Sequence, residues 1–188
     1  MDFTRFDELF KLINEKMAKR ERVVLAIDGG AASGKTTLAA LISEKYAAAV
    51  VHMDDFFLPP ARKTKARMSE PDGNIDRERF MAEVLPYINS RAPFSYGKYD
   101  CSAGKVTGRT EIPAAALVVV EGVYSLSDHF SSEYDIKIML TVSEEEQLSR
   151  LKNRSTPEKF EKFKKVWLPL EKRYFALCSV REKCDMVF

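Results

Sequence analysis

The chain has 188 residues, of which 45% are apolar, so residues 1–188 can bury one sizeable core and most simply form a single domain. Thirty basic and 28 acidic residues leave a net charge of +2, which excludes a global positive field as the means of binding nucleic acid or an anionic membrane. Three scattered cysteines argue against a disulfide framework, and no segment has the apolar length of a signal or transmembrane helix, so we expect a cytoplasmic protein.

The first half of the chain begins as a repeating strand and helix pattern. Apolar residues at steps of three and four predict an amphipathic helix over roughly residues 1–20. A strand is predicted at 23–27, and a helix runs to about Tyr46 after a glycine-rich stretch. Residues 49–53 are predicted as the second strand. This order is that of the first units of a parallel sheet.

The middle of the chain contains a segment that does not follow the alternation of strands and helices. Glycines recur along it, and we interpret it as an antiparallel hairpin over about residues 90–112. A helix is predicted before it, from Asp76 to about Asn89. Uninterrupted branched runs at 117–120 and 136–140 are typical of strands buried on both faces of a parallel sheet.

Helical patterns in the last third of the chain predict two helices, at 144–154 and about 157–177, and the closing CDMVF is predicted as a short final strand. Strands that alternate with helices favour an α/β fold in which helices cover both faces of a parallel sheet.

Residues 29–37, GGAASGKTT, contain the pattern Gly, four residues, Gly, Lys, Ser/Thr of a phosphate-binding loop. The rival dinucleotide fingerprint needs a glycine where Ala31 stands. In such a loop, backbone N–H groups and the following helix dipole attract an anion. Lys35 is expected to reach the β and γ phosphates of a nucleotide, and Thr36 to offer its hydroxyl to Mg²⁺. The predicted nucleotide-binding residues are those of the whole loop: Gly29, Gly30, Ala31, Ala32, Ser33, Gly34, Lys35, Thr36 and Thr37.

Carboxylates follow the second and third predicted strands, where ligands bind in open α/β sheets. Asp54 is the candidate base that accepts the proton of a substrate hydroxyl, because it is the first carboxylate past its strand. Asp55 is the reserve, although capping a helix that begins at Phe56 is the stronger interpretation for it. Glu121 is the candidate Mg²⁺ ligand, directly or through water. Asp28, before the loop, is expected to be a structural acceptor.

Three further features leave alternatives open. Arg150 and Arg154 lie four apart, so both could face one phosphate group or form an exposed, solvated pair. Asp76, taken alone, is interpreted as a routine helix N-cap. The basic run at 62–67 is interpreted as a solvated loop and not as a nucleic-acid surface, because it lacks interleaved aromatic residues.

Taken together, several motifs resemble the uridine kinase and phosphoribulokinase group of P-loop kinases. They occur in the order of that family and span residue 23 to the end of the sequence. The phosphate loop is shared by many NTPases, but its combination with the other motifs is more selective. The motifs are GGAASGKTT, DDFF, NID, KYD, VVVEGVY, LSRLKNR and WLPLEKRYF.

The resemblance implies a three-layer P-loop fold of the nucleoside monophosphate kinase type and Mg²⁺-dependent transfer of the ATP γ-phosphoryl group to a hydroxymethyl group of a small molecule. By position, Asp54 matches the family's general base and Glu121 the acid of its second nucleotide motif. Asp76 matches a carboxylate that binds sugar hydroxyls, and Tyr99 matches a tyrosine of the nucleoside pocket. Arg154 matches an arginine of the lid, a short segment at about 150–158 here, and Arg150 also becomes a candidate substrate contact.

The departures from the family lie on the acceptor side. Cys101 and Gly104 stand where uridine kinases place an aromatic residue and a histidine, and Leu151 replaces one lid arginine. We therefore expect an ATP-dependent kinase with a nucleoside acceptor, and keep a sugar or vitamin precursor as the second hypothesis. A nucleotide-hydrolysing switch is the third. A homo-oligomer is neither favoured nor excluded.

Overall fold

The computed structural model describes residues 4–188, so the first three residues of the predicted N-terminal helix lie outside the described part. The strands of this part are β1 (Val23–Gly29), β2 (Ala49–His52), β3 (Phe94–Asp100), β4 (Lys105–Ile112), β5 (Leu117–Glu121), β6 (Ile136–Leu140) and β7 (Met186–Val187). Its α-helices are α1 (Asp7–Met17), α2 (Lys35–Tyr46), α3 (Lys65–Ser69), α4 (Arg77–Glu83), α5 (Leu85–Ile88), α6 (Glu144–Arg154), α7 (Pro157–Lys162) and α8 (Leu168–Leu177).

Five strands form one parallel sheet in the order β2-β5-β1-β6-β7. The central strand, β1, is buried at every residue, as its continuous apolar run predicts. Ile27 of β1 pairs with Glu121 of β5, so the carboxyl ends of these neighbouring strands lie at the same edge of the sheet. The predicted α/β fold with a parallel sheet is confirmed.

Helices cover both faces of the sheet because β1 alternates its side chains between two cores. Leu25 and Ile27 join an apolar cluster that contains the inward side chains of α1 and α2. Val24 and Ala26 join a second cluster, which contains residues of α4, the β3–β4 hairpin and α8. The sheet is therefore the middle of three layers, with the phosphate-binding loop emerging from its central strand.

The predicted continuous helix over residues 76–89 is wrong, because the chain forms the two shorter helices α4 and α5. They are separated at Val84, two residues before Pro86. Proline has no N–H to donate, and its ring would clash with the carbonyl group four residues earlier in a continuous helix.

The predicted helix over about 157–177 is also not regular α-helix along its length. It consists of α7, a π-helical segment at Phe163–Trp167, and α8. Pro169 lies at the start of α8, where a regular helix would require a hydrogen bond to Lys165. No helix within residues 4–188 has the length and apolar character needed to cross a bilayer.

Candidate active site

The phosphate-binding loop connects the end of β1 to the first residue of α2. Gly34, the residue before α2, has a φ of +103°, a left-handed conformation in which glycine avoids the strain of a Cβ. The Lys35 side chain is buried against the loop, and its Nζ donates to the carbonyl of Gly30 at 2.8 Å. Ser33 Oγ is buried and has no hydrogen-bond partner among the described residues. The helix N-terminus, the lysine and this unsatisfied hydroxyl fit an anionic ligand.

Asp28, the residue before the loop, holds the start of the loop in place through its side chain. Its fully buried carboxylate accepts hydrogen bonds from the N–H of Gly29 at 2.7 Å, the N–H of Leu126 at 2.9 Å and the hydroxyl of Tyr174 at 2.7 Å. Burial raises the pKa of Asp28, against the opposing effect of these hydrogen bonds. The expectation that Asp28 is a structural acceptor is confirmed.

Thr36 and Glu121 meet where α2 begins and β5 ends. The Thr36 hydroxyl lies 3.2 and 3.3 Å from the two carboxylate oxygens of Glu121, whose Oε1 is also 2.7 Å from Nδ1 of His52. The Glu121 hydrogen bond is the largest cause that raises the pKa of His52. No group of three or more His, Cys, Asp or Glu side chains in the part of the chain that the structure describes could hold a metal ion alone. One hydroxyl and one carboxylate suit Mg²⁺, which usually takes few protein ligands and completes its shell with water and phosphate oxygens.

Asp54 and Asp55 follow β2 but face different surroundings. Asp54 is exposed to solvent, and no hydrogen bond or ion pair within residues 4–188 involves it. The surrounding protein raises its pKa by partial desolvation first and by the charge of Glu121 second, whereas Lys35 lowers it. Its accessible surface shows that this desolvation is incomplete.

Asp55 is buried and binds the hairpin. Its Oδ2 accepts hydrogen bonds from the hydroxyls of Tyr96 at 3.1 Å and Thr110 at 3.3 Å. The expectation that Asp55 caps a helix beginning at Phe56 is wrong, because Asp55 lies inside a 3₁₀ turn at Met53–Phe56 and its carboxylate bonds to β3 and β4 instead. It therefore fixes the hairpin to the end of β2.

Asp76 is both a helix cap and a member of a polar network. Its carboxylate accepts a hydrogen bond from the N–H of Arg79 at the start of α4 at 3.3 Å, and Arg62 Nη1 donates to its Oδ2 at 2.6 Å. The interpretation of residues 62–67 as a solvated loop is wrong in part, because Arg67 is mostly buried, with its side chain 13% exposed, and pairs with Glu78 at 2.6 Å. Folding this basic segment back onto α4 places its charges beside Asp76.

The β3–β4 hairpin carries Tyr99 close to its tip. Tyr99 is 8% exposed and packs edge-on against Phe57, with ring centroids 6.5 Å apart. Cys101 is exposed at the turn, whereas Gly104 has a φ of +65° and lies near Pro60. The left-handed turn gives Gly104 a local explanation, since a histidine there would be strained.

The structure does not bring Arg150 and Arg154 together on one group. Arg150 donates to the carbonyl of Ala32 in the loop at 2.9 Å and pairs with Glu146. Arg154 is exposed one turn further along α6, with no partner in the described chain from residue 4 onward. Of the two arginines, Arg150 is the one joined to the phosphate-binding loop.

Sequence reasoning missed two side chains that contact the loop, Gln147 of α6 and Glu171 of α8. Both are more than nine-tenths buried. A signal was present for Glu171, because Leu168, Glu171 and Tyr174 recur at steps of three and are the buried residues of α8. A charged residue on the apolar face of an amphipathic helix has a specific partner in most proteins.

The comparison with solved structures bears on the fold. A protein described as a possible uridine kinase from Bacillus stearothermophilus has a similar structure, with a TM-score of 0.68, 20% identity, and coverage of 96% of this chain and 99% of the other. The protein has the fold of a P-loop kinase. A protein proposed to be a fructose transport system kinase from Silicibacter sp. TM1040 matches with a TM-score of 0.64, 20% identity, and coverage of 96% and 97%. No family model matches the sequence, and no curated protein matches it.

Proposed function

We propose that this protein is an ATP-dependent kinase that transfers the γ-phosphoryl group to a hydroxyl of a small molecule, with a nucleoside as the first acceptor class. The observation that carries the proposal is the juxtaposition of three features at one edge of the sheet. These are the phosphate-binding loop, the Thr36–Glu121 pair, and Asp54, an accessible carboxylate two residues after His52, which itself contacts Glu121. Phosphoryl transfer needs charge neutralisation, a metal and an oriented hydroxyl, and these features can supply each of them.

The donor side of the proposed site is the loop with α2. The loop would cradle the phosphates of ATP through N–H groups other than those of Gly29 and Ala31, which bond to Asp28 and Glu171. Lys35 would exchange its contact with the Gly30 carbonyl for a phosphate oxygen. Thr36 and Glu121 would hold Mg²⁺, which supplies electrostatic stabilisation of the transferring group when it is bound. Arg154 is exposed and available as a lid cation.

On the acceptor side, Asp54 is the proposed general base. A hydroxyl that attacks the γ-phosphorus loses its proton to Asp54 Oδ as the new O–P bond forms and the bond to ADP breaks. An exposed, unpaired carboxylate with a raised pKa suits this role better than Asp55, whose oxygen already accepts two hydrogen bonds.

Asp76 and Tyr99 are the proposed acceptor contacts. Both are buried near the segment that joins β2 to α4, and Arg62 would have to share Asp76 with a sugar hydroxyl. The two proteins of the same fold are described differently, one as a possible uridine kinase and the other as a proposed fructose transport system kinase. A sugar is therefore the second candidate class.

The test is ADP release from ATP and Mg²⁺, measured alone and with a panel of nucleosides, hexoses and vitamin precursors that bear a primary hydroxyl. We expect one class to raise the rate well above the acceptor-free rate. Rapid ADP release that no acceptor changes would favour a hydrolysing switch and overturn the proposed function.

A further inference from the structure

Side chains of two helices form hydrogen bonds with the backbone of Ala31 in the phosphate-binding loop, one with its N–H and the other with its carbonyl group. Glu171 Oε2 of α8 accepts a hydrogen bond from the Ala31 N–H at 2.9 Å, and Gln147 Nε2 of α6 donates to the Ala31 carbonyl at 2.8 Å. Glu171 is 7% exposed and Gln147 is 9% exposed. The buried carboxylate of Glu171 thus accepts a hydrogen bond from a backbone N–H of the loop, the kind of group that phosphate-binding loops present to anions.

An apolar cluster supports this contact. Ala31 packs with Leu151 of α6 and Leu168 of α8 in a cluster separate from the two main cores. Glu171 follows Leu168 by three residues, so the same face of α8 supplies both the apolar contact and the hydrogen bond. The loop is therefore held by packing as well as by polar contacts.

A π-helical segment immediately precedes α8 and affects which side of that helix faces the loop. It spans Phe163–Trp167, and each π turn contains about one residue more than an α turn. That extra residue changes the phase of the following helix relative to α7. Such segments are frequently found at functional sites.

Three charged groups on other elements influence the ionisation of Glu171. Lys35 at the start of α2 favours its ionised form, whereas Asp28 of β1 and Asp54 after β2 oppose it. Burial is the largest influence and raises the pKa of Glu171 to about 7. The pKa of Tyr124 is also raised, mainly by burial and next by the charge of Glu171.

We propose that Glu171 is a positioning residue that fixes the phosphate-binding loop through Ala31, and that nucleotide binding is coupled to protonation of its carboxyl group. This inference rests on the proposed function, since it requires a nucleotide in the loop. Phosphates bound beside Lys35 add negative charge near Glu171 and draw on the same lysine. The ionised form is therefore disfavoured in the complex, and a proton is taken up from solvent as the nucleotide binds.

The sign of the effect follows from this linkage. If the carboxyl binds protons more tightly in the complex than in the free protein, affinity for ATP is highest at low pH and falls as pH rises through about 7, where the free carboxyl ionises. One titrating group limits the change to a factor of about 10 per pH unit.

The experiment is calorimetric titration of the full chain with ATP and Mg²⁺ from about pH 6 to about pH 8.5, a range that brackets the linkage, in buffers of different ionisation enthalpy, so that protons taken up are counted. Three variants are compared with the wild type: Glu171→Gln, Glu171→Ala and Glu145→Gln. The glutamine of the first variant would keep an acceptor oxygen for the Ala31 N–H but carry no charge, and the alanine of the second would remove both. Glu145 is an exposed residue of α6 and controls for the loss of one negative charge.

We expect Glu171→Gln to lose the proton uptake that the wild type and Glu145→Gln show, and to bind ATP at about pH 8 as tightly as the wild type does at about pH 6. Glu171→Ala should also lose the uptake and should bind ATP about tenfold or more weakly than Glu171→Gln at every pH, because the loop amide is no longer held. The titration of ATP itself is common to all four proteins and cancels in the comparison.

Equal proton uptake in the wild type and Glu171→Gln would overturn the inference while leaving the proposed function intact. A wild type that binds no ATP would overturn the proposed function instead. If Glu171→Ala does not fold, the comparison of the wild type with Glu171→Gln still decides the question.

Discussion

Substitutions of the two neighbouring aspartates after β2 should have different effects, one on the catalytic rate and the other on the free energy of unfolding. Asp54 is exposed and has no partner in the chain from residue 4 to residue 188, so Asp54→Asn should change the free energy of unfolding by no more than about 0.5 kcal/mol. Loss of a general base should lower kcat by about 10²-fold or more, with ATP affinity nearly unchanged.

Asp55→Asn should give the opposite pattern. The buried Asp55 carboxylate accepts from Tyr96 and Thr110, and an amide in its place can satisfy only part of this arrangement. A poorly satisfied buried group costs about 1–3 kcal/mol. For a chain of this length, this corresponds to a fall in Tm of about 2–12 °C.

Thermal melting and steady-state kinetics on the two variants form a matched pair, since each removes one negative charge from adjacent positions. Asp54→Asn should lose rate without losing Tm, and Asp55→Asn should lose Tm more than rate. An Asp54→Asn enzyme with the wild-type rate would exclude Asp54 as the general base. An Asp55→Asn enzyme that melts normally but is inactive would exclude a structural role for Asp55.

The remaining predictions concern the loop, the metal and the hairpin turn. Lys35→Ala should abolish ATP turnover, and normal activity in that variant would remove the basis for the phosphate-binding loop. Glu121→Gln should raise the Mg²⁺ concentration needed for half-maximal rate by about 10–100-fold, and an unchanged Mg²⁺ titration would exclude Glu121 from metal binding. Gly104→Ala should destabilise the protein by about 1 kcal/mol because its φ is +65°, whereas Gly108→Ala, with open space around its Cβ position, should not show this strain. Equal melting temperatures for the two glycine variants would contradict the strain argument.

The sheet and the loop could be predicted because their signals are local. Apolar runs such as 117–120 lie within single strands, and the loop motif occupies consecutive residues between β1 and α2. The ordering of carboxylates at strand ends then follows from the parallel sheet. These predictions need no knowledge of how distant segments pack.

The side chains around the loop could not be predicted in the same way, because their partners are far away in sequence. Glu171 is 140 residues from Ala31, and the Asp55 partner Thr110 is 55 residues away, on a hairpin whose register the sequence does not reveal. The local pattern around Asp55 therefore indicates a cap that does not form. Pro86 and Pro169 are different, since each carries a local signal for an interrupted helix that the apolar periodicity conceals.

The fate of the γ-phosphoryl group tests most directly whether the protein is a kinase. The protein is incubated with Mg²⁺ and ATP labelled at the γ-phosphate, together with the acceptor that raises ADP release most, and the labelled products are separated. We predict that label appears on the acceptor in a one-to-one ratio to ADP, and that Asp54→Asn slows this transfer. Label found only in inorganic phosphate, at the same rate with and without acceptor, would show that the protein hydrolyses ATP and is not a kinase.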